Sequence, residues 1–143
     1  MSKVSWRAEP DAHDYPAAAS YLSLLSRPEV VDEIVARLQA ASKSSFKAKD
    51  ILRASGLPLL PVDNPHVAND LKKVKNNQDL SPILLVRGDL TRGLALQVAD
   101  GYHRVCASYH TDENTDLPCR IADNPELERY AIELDARAHG RAD

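Results

Sequence analysis

Apolar positions change their spacing several times along this chain, and each change marks a candidate element. Residues 1–14 hold no periodic apolar pattern and predict a loose, flexible arm. From Pro16 the stretch AAASYLSLL has helical composition and sets Tyr21, Leu22 and Leu25 on one side of a helix over 16–26. Ser26, with Glu29 three residues on, reads as a capping box. Val31, Ile34, Val35 and Leu38 then recur at helical spacing and predict a second helix over 28–41. The segment FKAKDILRASG predicts a short helix with Phe46, Ile51 and Leu52 turned inward and Gly56 as a left-handed stop. In LPLLPV, Pro58 and Pro61 remove two ladder donors, so a strand over 57–62 is confined to a sheet edge or interrupted.

Asn64 followed by Pro65 is a helix start, and Val67, Leu71 and Val74 carry that helix to about Lys75. Pro82 opens the aliphatic run Ile83 to Val86, too short for a core helix, which predicts a buried strand over 82–87. Leu94, Leu96 and Val98 alternate with Ala95 and Gln97, giving a second hairpin arm over 94–99. Within DGYHRVCASYH, Tyr102, Val105, Cys106 and Tyr109 return to helical spacing, so a helix begins within a residue of a strand end. Leu117, Cys119 and Ile121 then alternate with Pro118 and Arg120 as a strand over 117–122. Asn124 and Pro125 start a last helix, 124–138, with Leu127, Tyr130, Ala131 and Leu134 as its inner side. The sum is a single α+β domain over 1–143. A small mixed sheet packed with helices forms a core over 46–122, preceded by a helical extension over 15–42.

Composition narrows the function more than the fold. With 143 residues, 43% apolar and a net charge of -3, the chain has the profile of one soluble domain. One Trp, one Phe and five Tyr argue against a nucleic-acid platform built from stacked aromatics. The longest aliphatic run falls far short of the roughly 20 apolar residues a membrane helix needs. The start MSKVSWRAEP lacks the apolar run of a secretion signal, so a cytoplasmic location is expected, with Cys106 and Cys119 as reduced thiols. Residues 43–75 carry seven basic and three acidic side chains, whereas residues 76–143 carry seven and twelve. A basic segment inside an acidic protein disfavours general polyanion binding and permits a small anionic ligand.

The strand-to-helix junction concentrates the chemistry. A helix starting directly after a strand leaves its first N–H groups aimed beyond the sheet, with the positive end of the helix dipole behind them. Gly101 lets a ligand approach the backbone, His103 offers a donor in the first turn, and Arg104 has the fork geometry for phosphate oxygens. Gly101, Tyr102, His103 and Arg104 therefore read as a phosphate cradle. The competing reading is a glycine in a tight turn followed by a solvated His and Arg.

The arrangement of LPLLPV, NPHVANDLKKV, SPILLV, LQVADG, YHRVCAS and LPCRI resembles the ParB/sulfiredoxin superfamily over about residues 55 to 122. In that superfamily a Gly-x-His-Arg or Gly-x-Arg-Arg junction binds nucleotide phosphates, with help from the preceding helix. The resemblance implies phosphate contacts at Gly101, Tyr102, His103 and Arg104, support from His66 and Asn69, and Lys73 closing the site. It also implies ATP or CTP with magnesium as the cofactor class. Two departures narrow the expectation. Tyr102 stands where sulfiredoxins carry their reactive cysteine, so sulfinic-acid repair is not expected, and one helix after Ile121 leaves no helix-turn-helix reader for sequence-specific DNA binding.

Nuclease and kinase chemistry in such a fold calls for a carboxylate beside the phosphate, and Asp100 is the candidate, with a turn or N-cap role as the competing explanation. His103, Cys106, His110 and Cys119 form one helix stripe plus a strand position. They lack the usual paired zinc spacings, so no metal site is expected from them. Two function classes result. One is nucleotide or phosphate binding with phosphoryl-transfer or phosphodiester chemistry. The other is a non-catalytic ParB-like interaction module, whose N-terminal helices either cover the core, their more common purpose, or mediate self-association into a homo-oligomer.

Overall fold

The computed structural model describes residues 3–140. Six helices and a four-stranded mixed sheet follow one another as α1 (Asp14–Leu22), α2 (Pro28–Ala40), β1 (Ser44–Lys47), α3 (Ala48–Ser55), α4 (Pro65–Lys75), β2 (Ile83–Val86), β3 (Gln97–Asp100), α5 (Tyr102–Thr111), β4 (Asp116–Ala122) and α6 (Pro125–Gly140). The sheet order is β1-β4-β2-β3, with β2 parallel to β4 and antiparallel to β3, and β1 antiparallel to β4.

Helices cover both faces of this sheet, which explains why β2 reads as unbroken aliphatic sequence rather than as an alternation. Ile83 and Leu85 join Val98, Leu117, Cys119 and Val105 beneath α3, α4 and α5. Leu84 and Val86 turn the other way and pack with Ala99 and Ala122 against Leu22, Ile34 and Leu38 of α1 and α2. Two sequence signals hold as expected. The Asn64 side chain accepts from the amides of His66 and Val67 at 3.0 and 3.2 Å to cap α4, and Gly56 ends α3 at φ 69°.

Several expectations are corrected. The arm over 1–14 is docked from Val4 on: Arg7 N donates to Leu80 O at 2.9 Å, Leu80 N to Ser5 O at 2.8 Å, and Trp6 packs on the core. Glu9 pairs with Arg120, whose side chain is only 4% exposed, at 2.6 Å. The first helix starts at Asp14 and ends at Leu22, leaving Tyr21 and Leu25 exposed. Ser26 caps nothing. Arg27 is the N-cap of α2, without a side-chain bond, because Pro28 takes the first helical position.

Phe46 belongs to the edge strand β1 rather than to a helix, and is 37% exposed. Its four-residue strand carries no apolar alternation, so only pairing with β4 defines it. The segment 57–62 forms no strand, because two of its carbonyls serve α5 instead. Pro58 O accepts from Tyr102 Oη at 2.5 Å and Leu60 O from His110 Nε2 at 2.7 Å. The intended inner side of α6 faces solvent, with Tyr130 49% and Leu134 44% exposed. What holds α6 is charge: Arg37 grips Glu128 with two 2.9 Å bonds, and Arg129 meets Glu33 at 2.6 Å.

The docked arm can be tested. Trp6→Ala should lower the unfolding free energy by about 1–3 kcal/mol in urea denaturation. An unchanged midpoint would return the arm to solvent.

Candidate functional site

β3 ends at Asp100 and α5 begins at Tyr102, so Gly101 alone makes the turn. It sits at φ 111°, in the left-handed region. A Cβ there would meet Ile83 Cδ1 at 2.7 Å and Arg104 Nη2 at 2.9 Å, so space and backbone both demand glycine. Having no side chain, this N-cap contributes no hydrogen bond to the helix. Among the described residues no protein acceptor engages the amides of Tyr102, His103 or Arg104; the first amide of α5 that bonds back is that of Val105, to Gly101 O at 3.0 Å. Three donors are thus left without protein partners at the positive end of the helix.

That space is a polar recess of about 220 Å³ lined by His66, Asn69, Asp70, Asp100, Gly101, His103 and Arg104. α4 packs beside α5 and supplies the first three. A larger cavity, about 550 Å³ between α3 and the β2–β3 connection, is elsewhere and mostly apolar. The smaller recess is where the chemistry lies, because it gathers the donors, imidazoles and carboxylates.

Arg104 lines the recess, but its guanidinium is engaged. Nη2 donates to Asp100 Oδ2 at 2.8 Å and to Pro82 O at 3.2 Å, and Asp14 Oδ2 of α1 lies 3.7 Å away. Asp14 is buried and also accepts from the Ser81 hydroxyl. Arg104 is therefore a structural cation at the sheet end rather than a free phosphate fork. Asp100 is its partner in that ion pair. Burial pushes the Asp100 carboxyl upward, and Arg104 opposes that push.

The other expected residues divide. Asn69 and His103 line the recess, and the ring of His66 stands 4.6 Å from that of His103, centroid to centroid. Burial and the neighbouring His66 lower the His103 pKa, partly offset by Asp70. Tyr102 contributes only its amide, since its hydroxyl is committed to Pro58. Lys73 does not line the recess, although its charge reaches Asp70. Sequence reasoning missed Asp70, which is 8% exposed and whose carboxyl burial pushes upward against the pull of Arg104 and Lys73. The available signal was its i,i+4 spacing from His66 on the face that carries Asn69.

His103, Cys106, His110 and Cys119 do not assemble, because His110 turns to Leu60 O and Cys119 Sγ to Leu117 O. Among the described residues, Asp11, His13 and Asp14 have candidate ligand atoms within 4.8 Å of one another. Their carboxylates are already taken, Asp11 by Arg7 and Asp14 by Ser81.

The chain matches no family model, no curated protein and no solved structure.

Two predictions follow from this geometry. Arg104→Ala strands Asp100 and Asp14 without a counter-charge and should cost about 3–5 kcal/mol. In denaturation at neutral and acidic pH the deficit should shrink on the acidic side, where the carboxyls take protons. An equal loss at both pH values would mean the ion pair is not its source. Separately, burial pushes the Cys119 thiol from 9.0 up to about 12. Below that ordinary value the thiol is neutral in both states. Between the two values the unfolded chain releases a proton that folded Cys119 keeps, so stability should fall as pH rises through this window. The fall should be shallower in Cys119→Ala.

Proposed function

We propose that the recess at the start of α5 binds a phosphate-bearing ligand, with a nucleotide as the leading class, on a fold of ParB/sulfiredoxin-like type. The observation that carries this reading is the set of three unengaged amides behind a glycine N-cap. Anions bind such helix starts because the donors and the dipole act together. Asn69 and His103 add side-chain donors at the rim, and no capping side chain must be displaced. The ordering of elements from LPLLPV to LPCRI supports the family part of the reading.

The electrostatics limit what can enter. Asp70 and Asp100 share the recess with Arg104, whose charge Asp100 and Asp14 already hold. A bare polyphosphate would meet this carboxylate charge, so we expect it to enter with a cation, magnesium being the simplest. Phosphoryl transfer or phosphodiester cleavage is the reaction class that suits a phosphate beside a carboxylate. Of the two lining carboxylates, Asp70 is the one without an ion-pair partner. The second reading is a non-catalytic interaction module, and the engagement of Arg104 within the protein is what favours it. No helix among the described residues is long and apolar enough to cross a membrane.

Thermal-shift titration with ATP, CTP and pyrophosphate, with and without magnesium, separates the two. A ligand at a hundred times its Kd should stabilise the protein by about 2.7 kcal/mol. His103→Ala and Asn69→Ala should weaken that shift; Arg104→Ala is unsuitable because its ion pairs are structural. The absence of a shift with every phosphate ligand would favour the interaction module.

A further inference from the structure

We propose that His66, Asp70 and His103 form a binding site for one divalent transition-metal ion of the zinc class. His66 and Asp70 lie one turn apart on α4, and His103 lies in the first turn of the adjoining α5, so two imidazoles and one carboxylate border one recess from two packed helices. All three line the same recess.

Two observations point to a missing partner. Asp70 is 8% exposed, and among the described residues its carboxylate receives no hydrogen bond and no ion pair from the protein. Burying an unpaired carboxylate is expensive, and such groups are normally paired or coordinate a metal. Neither imidazole makes a hydrogen bond within the described residues, although the His103 ring stacks on Tyr102, and the two imidazole rings stand 4.6 Å apart, tilted by 41°. Two imidazoles on one ion at about 2.1 Å per bond place their ring centres roughly 5 Å apart, so the observed spacing is already near the requirement.

The donor set chooses the ion class. Two imidazoles with one carboxylate suit zinc, iron, cobalt or nickel, whereas magnesium and calcium prefer oxygen alone. Three protein ligands leave at least one position open, in a recess that also contains the free amides of α5. The ligand atoms are not drawn together as tightly as those of Asp11, His13 and Asp14. Binding therefore requires rotation of rings that no hydrogen bond restrains. The inference adds to the phosphate reading without resting on it, since metal affinity needs no phosphate.

The test uses the full, tag-free chain stripped with a chelator and titrated calorimetrically with Zn²⁺ in phosphate-free buffer. Co²⁺ serves as the spectroscopic probe. One ion per chain is expected, with ligand-field bands in the visible spectrum of the cobalt form. His66→Ala, His103→Ala and Asp70→Asn should each weaken binding by about a hundredfold or more. Circular dichroism and melting midpoints establish that each variant is folded, and His66→Gln provides a milder replacement. No saturable binding would overturn the proposal, as would affinity lost in Asp11→Asn but unchanged in the three ligand variants. Because the phosphate titration is repeated with magnesium on protein stripped of transition metals, failure of either site is read independently of the other.

Discussion

A single guanidinium, lodged where the sheet ends and α5 begins, ties together segments far apart in sequence. Arg104 reaches back to Asp100 at the end of β3 and to the Pro82 carbonyl just before β2, and lies near Asp14 of α1. A charge that is mostly buried is costly unless paired, and two carboxylates offset the cost. The contact depends on Gly101, because any Cβ at that position would press on the guanidinium itself. The same glycine that admits Arg104 also withholds a cap from α5. One residue thus explains why the sheet end is locked and why the helix amides above it are free.

The recess therefore contains two kinds of group. Arg104 Nη2 and Asp100 bond one another and define its wall, with Arg104 Nε left buried and without a partner. Asp70, His66, His103, Asn69 and three amides face the space without protein partners. A polar recess that gathers imidazoles, carboxylates and unengaged amides is a better pointer to chemistry than cavity size. This is why the larger apolar cleft beneath the β2–β3 connection carries less functional weight despite its volume.

Legibility in the sequence followed how locally each feature is caused. The cap of α4 by Asn64 and the left-handed stop at Gly56 each depend on a few neighbouring residues and stand where the pattern predicts them, whereas β3 begins only at Gln97, three residues into the run expected from Leu94. Gly101 and His103 were legible at the junction for the same reason, whereas Asn69 entered only through the family resemblance; all three line one recess. Arg104 was legible as a residue and not as a role. Its partner Asp14 sits on a helix that packs against β3, and no local spacing announces that pairing. Phe46 and the apolar stripe of α6 failed in the opposite direction, because periodicity indicates which residues share a face and not whether anything covers that face.

By itself the sequence determined the starts of α4, α5 and α6, the burial of Ile83 to Val86, and a strand-to-helix turn at Gly101, since short-range sterics and hydrogen bonding decide these. Tertiary structure alone decided that β1 pairs with β4, that the N-terminal arm docks beside Leu80, and that Arg104 is bound to carboxylates. It also decided that Asp70 is buried without a partner opposite His103. Each of these depends on which surfaces meet after the chain closes on itself, and the energy of a buried charge is set by those surroundings rather than by its neighbours in sequence.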